Sequence, residues 1–130
     1  MSTIRDHHSC IVLEDKEQNN KVLVVGGYSG YSGGYRKTTE IFDIATQTWS
    51  NGIDIPITTI KSALIGASAT SKYVAFLVGG DLNNQPNEPS NRIFGLNKNL
   101  TVWEEVAGTF EIPRWSHLAF QLPQDMMEEC

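Results

Sequence analysis

The sequence is poor in the residues on which several common protein classes depend. It has two cysteines among 130 residues, Cys10 and Cys130, too few for the disulfide framework of a small secreted domain. Basic residues are also scarce, since ten Lys and Arg stand against fifteen Asp and Glu, a formal net charge of −5. Nucleic-acid binding and attraction to anionic lipid both depend on clustered basic residues. We therefore predict neither a nucleic-acid partner nor a membrane partner.

Long hydrophobic runs are missing as well. The longest apolar run is Tyr73 to Val78, whereas a membrane-spanning helix needs roughly 18 to 20 apolar residues. Residues 1–10 contain Arg, Asp and two His without an apolar segment, so no signal peptide is visible. The compartment stays open: the cytoplasm is the default expectation, and secretion is the alternative if the N-terminus of a longer parent is absent.

Catalytic and cofactor motifs are not found either. The Gly-x-Ser-x-Gly spacing occurs once, over residues 30–34, but a strand and not the helix of a nucleophile elbow is predicted after it, and there is no His-Glu-x-x-His pair. The cluster over residues 6–10 contains His8 and Cys10, which would share one face of a strand, but a zinc site needs three or four converging ligands. The glycine-rich stretch over residues 26–35 lacks the Lys-Ser/Thr pair and the following helix of a phosphate-binding loop. We predict no catalytic residue, no metal site and no cofactor.

The chain repeats itself with a period of about 53 residues, a spacing typical of repeat architectures. In each unit an apolar strand-like segment is followed by two glycines, then by an aromatic residue, and then by a tryptophan. Four anchors that recur in the same order are strong evidence for an internal duplication. The anchors are Val22–Val25 and Ala75–Val78, Gly26-Gly27 and Gly79-Gly80, Phe42 and Phe94, and Trp49 and Trp103.

Each unit is predicted to contain four short strands. The segments are rich in β-branched and aromatic residues and are separated by polar turns, and no window has a helical period of useful length. The predicted fold class is therefore all-β. The predicted strands are 9–13, 21–25, 38–44 and one opening at Trp49, then 62–68, 73–78, 91–96 and 102–106, with a ninth over 116–122.

The ordered anchors resemble the kelch repeat, whose units form the blades of β-propellers. The resemblance rests on the double glycine after an apolar strand, on Phe42-Asp43, and on Trp49 about seven residues further on. An Arg-x-x-His opening, found over residues 5–8 and again over residues 114–117, is also similar to the first strand of the family's repeat. In the second unit Gly95 replaces the aspartate and Lys61 replaces the histidine aligned with His8.

The signature residues have structural explanations. Paired glycines permit backbone conformations and close approaches that are closed to other residues. A tryptophan offers a large apolar face, here expected to cover the next blade, and an indole N–H that needs an acceptor. Asp43 is expected to cap the turn over residues 45–47. The residues assigned to this structural signature are Gly26, Gly27, Asp43, Trp49, Gly79, Gly80 and Trp103.

The resemblance implies a partial kelch-type β-propeller of two four-stranded antiparallel blades plus one extra strand. The repeats would cover residues 5–122, with blade 1 at about 5–53, blade 2 at about 58–107, the start of a third at 114–122, and a polar tail at 123–130. Propellers have about four to eight blades, so further blades or self-association must cover the outer faces. We expect the C-terminal part of a larger kelch protein. The alternatives are a closed ring of several chains, for example a trimer of about six blades, or a fragment without independent function.

The segments that follow the two glycine pairs are the predicted binding loops. By resemblance they emerge on the same face of the propeller, together with the blade-joining segments over residues 51–58 and 107–114. Tyrosine, arginine and asparagine provide large contact areas and directional hydrogen bonds. For Arg114 we also consider a competing role in bracing the ninth strand. The candidate binding residues are Tyr28, Tyr31, Tyr35, Arg36, Asn83, Asn84 and Arg114.

These features indicate a non-catalytic protein–protein interaction module whose blades present loops to a protein partner. The alternatives are part of a kelch-type enzyme, either an oxidase or a sugar-modifying activity, and a truncated fragment without independent function. Some kelch propellers are copper radical oxidases, which gather His, Tyr and Cys ligands from several blades. Two blades do not contain such a set.

Overall fold

The chain folds into β-strands joined by turns. The computed structural model describes residues 3–13, 20–30, 34–82, 88–108 and 111–119. Within these ranges the regular elements are ten strands, and no helix is found among them. There is accordingly no helix of membrane-spanning length in the described residues. The strands are β1 (Ser9–Leu13), β2 (Lys21–Val25), β3 (Tyr28–Ser29), β4 (Gly34–Tyr35), β5 (Thr39–Asp43), β6 (Thr48–Asn51), β7 (Ala63–Gly66), β8 (Tyr73–Val78), β9 (Ile93–Asn97) and β10 (Trp103–Glu105).

The strands form two four-stranded antiparallel sheets and one small hairpin. The first sheet has the order β1-β2-β5-β6 and the second the order β10-β9-β8-β7, so each runs through its strands in chain order. Strands β3 and β4 pair only with each other among the named strands and are inserted between β2 and β5. The all-β prediction with two four-stranded antiparallel sheets is confirmed.

The predicted ninth strand is wrong where the structure describes it. Residues 116–119 are not in a strand. A strand needs a hydrogen-bonded partner strand, and none of the named strands pairs with this segment. The segment is instead attached by single backbone bonds, such as the one from Ser116 N to Lys61 O at 2.9 Å. Residues 120–122 and the predicted tail over residues 123–130 lie outside the described residues.

The two sheets pack face to face, and their shared layer is the hydrophobic core. Strand β1 lies against β7, and Ser9 Oγ donates a 2.6 Å hydrogen bond to Ser62 O across the junction. Alternate residues of a strand face opposite sides of its sheet, so each sheet contributes every second side chain. The buried core residues are Leu23, Val25, Ile55, Ala75, Leu77, Phe94, Leu96 and Trp103.

The backbone repeats its conformation where each unit begins. His7, Lys61 and Ser116 have φ values of 50°, 53° and 52°, in the left-handed region that non-glycine residues seldom adopt. Lys61 N donates to His7 O at 3.0 Å, and Ser116 N donates in turn to Lys61 O. The counterpart of Lys61 is therefore His7 and not His8, which corrects the sequence alignment by one residue.

The paired glycines stand where the chain bends against a neighbouring segment. Gly27 and Gly80 have φ values of 96° and 103°. A Cβ atom on Gly27 would lie 2.7 Å from Asp6 O, and one on Gly80 would collide with Thr59 Oγ1. Both positions therefore need glycine for conformation and for space.

The two signature tryptophans have different surroundings. Trp103 is 6% exposed, and its Nε1 donates to Ile53 O at 3.2 Å. Trp49 is 39% exposed and contacts the Phe42 ring at a centroid distance of 5.0 Å. The expectation that each tryptophan covers the next blade is wrong for Trp103, which packs back against the first sheet because it shares a face with Leu96.

An apolar row crosses the first sheet on the face that points away from the second. Cross-strand partners share a face, and the pairs Val12↔Val22, Val22↔Phe42 and Phe42↔Trp49 join four strands. Val12 is 49% exposed. This outer row, Val12, Val22, Phe42 and Trp49, is therefore only partly covered by the described residues.

Packing explains why the second unit departs from the kelch pattern at Gly95. A Cβ atom there would lie 2.6 Å from Cδ1 of Tyr73, whose ring fills the space. The pairing register shifts between Tyr73 and Ala75. The phenol of Tyr73 donates to Glu104 Oε2 at 2.9 Å. Any side chain at position 95 would displace that ring.

Candidate functional site

The glycine-rich segment after β2, which was predicted as a binding loop, contains a short hairpin. Strand β3 pairs with β4 through Tyr28↔Tyr35 and Ser29↔Gly34. The glycines permit this tight antiparallel return, as shown by Gly34 with a φ of 63°. Residues 31–33, which include the predicted binding residue Tyr31, lie outside the described residues.

The hairpin is fixed to the start of the chain. Asp6 N donates to Tyr28 O at 2.9 Å, and Tyr28 N donates to Asp6 O at 2.8 Å. The rings of Tyr28 and Tyr35 meet edge to face at a centroid distance of 5.8 Å and an angle of 79°, a favourable geometry for aromatic pairs. Tyr28 is 37% exposed, so the hairpin presents an anchored aromatic surface.

The surroundings of Tyr35 favour its protonated form. The pKa of Tyr35 is raised above its ordinary value, first by loss of solvent and then by the nearby Asp81 carboxylate and by Tyr28. A tyrosine is protonated at neutral pH even without this shift, so the phenol is both a hydrogen-bond donor and an acceptor there. Asp81 follows the second glycine pair, so the hairpin of the first sheet adjoins the corresponding segment of the second.

Arg36 directly follows the hairpin, and its main chain is held at both ends. Its N–H donates to Gly27 O at 2.8 Å, and its carbonyl accepts from Thr59 N at 3.3 Å. Within the described part of the chain, the buried Nε of Arg36 has no hydrogen-bond acceptor, and no acidic side chain lies within salt-bridge distance. By contrast, Arg92 forms two bonds to Glu105, at 2.7 and 2.8 Å.

The segment after the second glycine pair is organised by Asp81. This residue is 6% exposed, and its Oδ1 accepts from Glu88 N at 3.2 Å. Leu82 N donates to Glu88 O at 3.2 Å, so the two ends of the segment are joined. The predicted binding residues Asn83 and Asn84 lie outside the described residues.

Arg114 lies beside the second glycine pair. It is therefore on the side of the two sheets where both glycine pairs lie, and we call this side the rim. Gly80 N donates to Arg114 O at 3.0 Å, as Gly27 N donates to Thr59 O at 2.9 Å in the first unit. Arg114 N donates to Ser90 O at 3.1 Å, so its main chain braces the second sheet. Its exposed side chain donates from Nε to Ile112 O at 3.3 Å.

Sequence reasoning did not single out the buried ion pair that supports this rim. Arg5 Nη2 lies 2.8 Å from Glu40 Oε2, and the two side chains are 0% and 3% exposed. Arg5 Nη1 also donates to Gly26 O at 2.8 Å and to Thr38 O at 2.9 Å. The Arg-x-x-His opening was the available signal, but it did not indicate which carboxylate would pair with Arg5.

Three potential metal ligands approach one another without forming a site. His8, Cys10 and His117 line a cleft of about 200 Å³ at the junction of the two sheets. The pKa of His117 is lowered by burial and by Arg114. Among the described residues, no group of three or more His, Cys, Asp or Glu side chains is arranged to hold a metal ion.

The geometry brings together three of the candidate binding residues, Tyr28, Tyr35 and Arg36, on the side of the sheets where the glycine pairs lie.

Residues 17–52, which include β2 to β6, match the family described as the Kelch motif. This segment is therefore a kelch motif. No curated protein matches the chain. The Kelch motif is typical of β-propeller domains that take part in protein interaction, and the two sheets are consistent with two kelch blades.

Proposed function

We propose that this kelch-repeat chain is a non-catalytic protein-interaction module that binds its partner through the rim after the glycine pairs. The observation that supports this best is the anchored hairpin with Tyr28 and Tyr35, followed by Arg36, which has no acidic partner among the described residues. No bond is made or broken in this function.

The binding energy would come from preorganised contacts. Ordering a loop during association costs free energy, and a rigid element avoids much of that cost. The backbone bonds of Tyr28 to Asp6, and of Arg36 to Gly27 and Thr59, hold the surface in one arrangement before binding. Tyrosine then supplies apolar area together with a hydroxyl, and arginine supplies charge-assisted hydrogen bonds.

The remaining candidates would extend the same surface. Tyr31 lies between β3 and β4 in the sequence, Asn83 and Asn84 follow the second glycine pair, and Arg114 ends the second blade-joining segment. We assign them to partner contact on the basis of this shared position in the repeat. The outer row of Val12, Val22, Phe42 and Trp49 would be covered by further blades or by self-association, since such exposed apolar faces mark contact surfaces.

The experiment compares partner capture by three forms of the chain: unmodified, a double variant and a control variant. Tyr28→Ala combined with Arg36→Ala removes the aromatic contact and the cation. The control is Lys98→Ala, which removes one cation from the β9–β10 turn at the opposite end of the second sheet. Each immobilised form is incubated with extract of the cells that produce the protein, and the captured proteins are quantified against the unmodified chain.

We expect the double variant to lose its main captured protein by about tenfold or more, which corresponds to about 1.4 kcal/mol, while the Lys98 control retains it. Thermal unfolding of all three forms checks that the fold is unaffected. Equal capture by all three would show that the rim is not the binding surface. No observation within the described residues favours the enzyme alternative.

A further inference from the structure

The last strand of the first sheet is followed by the second residue of an Asn-Gly dipeptide, a sequence in which the backbone can react with the asparagine side chain. Asn51 is the last residue of β6, and it is exposed. The backbone nitrogen that follows an asparagine can attack the side-chain amide carbon, because the attack closes a five-membered ring. Glycine permits this attack most readily, since it has no side chain to hinder approach.

The fold restrains this reaction at Gly52. The Gly52 N–H donates a 3.0 Å hydrogen bond to Thr39 O. The space where a Cβ atom would stand on Gly52 is filled by Thr39 Oγ1, and Thr39 is 2% exposed. The nitrogen must lose its proton and turn toward the amide of Asn51 to react, so it must first leave Thr39.

We propose that Asn51-Gly52 is a self-deamidation site that is closed while β6 is paired and reacts when the edge of the first sheet opens. In the reaction the deprotonated nitrogen of Gly52 forms a bond to Cγ of Asn51. The Cγ–Nδ2 bond breaks, and the amide nitrogen leaves as ammonia. Water then opens the cyclic imide at either carbonyl and leaves an aspartate or an iso-aspartate at position 51.

The product places a new negative charge beside an existing one. Asn51 is the direct cross-strand partner of Glu40 in β5, and like charges in that arrangement destabilise a sheet. Glu40 is the carboxylate of the buried pair with Arg5. Deamidation therefore adds a negative charge next to Glu40, whose ion pair with Arg5 connects the start of the chain to the first sheet.

The product also affects the contact between the two sheets. Ile53 O accepts one bond from Thr39 Oγ1 at 2.8 Å and another from Trp103 Nε1 at 3.2 Å. The iso-aspartyl form adds a backbone atom two residues before Ile53 and so displaces that carbonyl. The reaction consequently loosens a hydrogen bond that joins the first sheet to the second.

The test measures the reaction in the full chain, folded and in guanidinium chloride, at the same pH and temperature. Peptide mapping by mass spectrometry follows conversion at position 51, with Asn99 as the internal control because the bulky Leu100 follows it. We expect conversion of Asn51 to be about tenfold or more slower in the folded chain, since each 1.4 kcal/mol or so of opening free energy is a factor of ten. Asn99 should change little under either condition.

Separated product chains should unfold at a lower denaturant concentration than unreacted chains. Asn51→Asp should show the charge effect alone, and Asn51→Ser, which cannot cyclise in this way, should abolish the reaction without adding charge. Equal rates at position 51 in the folded and denatured chain would overturn the proposal. So would product chains as stable as unreacted ones. Both measurements use the unmodified sequence, so they decide the question even if Asn51→Asp does not fold.

Discussion

Replacing each signature tryptophan by alanine should have very different effects on stability. Trp103 lies in the shared core, whereas Trp49, its counterpart one unit earlier, lies on the outer row. If the cost follows burial and not the sequence motif, Trp103→Ala should destabilise the chain far more than Trp49→Ala.

The magnitudes follow from the contacts. Removing a fully buried tryptophan side chain costs about 3–5 kcal/mol, the transfer term plus the cavity. Ile53 O keeps the hydrogen bond from Thr39 Oγ1, so Trp103→Ala leaves no unbonded carbonyl and reports mainly on packing. Trp49 is 39% exposed and has one aromatic contact, with Phe42, so Trp49→Ala should cost about 1–2 kcal/mol. Trp103→Phe keeps most of the ring but loses the N–H, and it should cost about 1 kcal/mol more than its lost area.

The assay is urea unfolding followed by circular dichroism at two protein concentrations. With a dependence of about 1–3 kcal/mol per molar urea, a difference of about 2 kcal/mol between the two alanine variants separates their midpoints by about 1 M. Equal costs would refute the reasoning, because Trp49 would then have to be as well covered as Trp103. A cost of Trp49→Ala that rises with protein concentration would identify association between chains as that cover.

Three further predictions concern the turns and the buried charges. Gly80→Ala should destabilise the chain by more than about 2 kcal/mol, because the φ of Gly80 is 103° and Thr59 fills the space that a Cβ atom would take. Gly34→Ala should cost about 1 kcal/mol, because no atom lies within 4 Å of the added Cβ atom. Urea unfolding measures both costs. Arg5→Met should cost about 3–5 kcal/mol in the same assay, because it removes the cation of a buried ion pair, and a cost below about 1 kcal/mol would contradict this. The pKa of Asp43 is lowered from its ordinary 3.8, chiefly by the backbone N–H of Thr46, so its stabilisation is present above that value and lost as the pH falls through the folded pKa. Asp43→Asn should therefore flatten the acid end of the stability profile, and an unchanged profile would show that the turn contributes nothing to it.

Much of the fold could be predicted from local pattern. The apolar run at β8 and the β-branched segments at β1 and β2 gave strands with the bounds that the structure has, because alternating or continuous apolar segments have few other ways to be buried. Other strands, such as β7 and β9, differ at their ends by one to two residues. Propensity does not determine where a ladder stops, since that depends on the length of the partner strand.

The candidate site could be predicted only in part. Composition indicated a loop over residues 28–35, but the hairpin forms because Tyr28 pairs both with Tyr35 and with the backbone of Asp6. The contact with Asp6 joins segments that are distant in sequence, so no local pattern contains it. Arg36 was chosen for its residue type, whereas its lack of an acidic neighbour among the described residues is a property of the packed chain.

Local features of the sequence, namely periodic apolar segments and glycine pairs, were enough to identify a duplicated all-β protein. Folding in three dimensions sets which face of each sheet is covered, which of two equivalent tryptophans is buried, and which carboxylate pairs with Arg5. Those outcomes depend on which segments become neighbours, and burial and electrostatic pairing act on neighbours in space, whatever their separation along the chain.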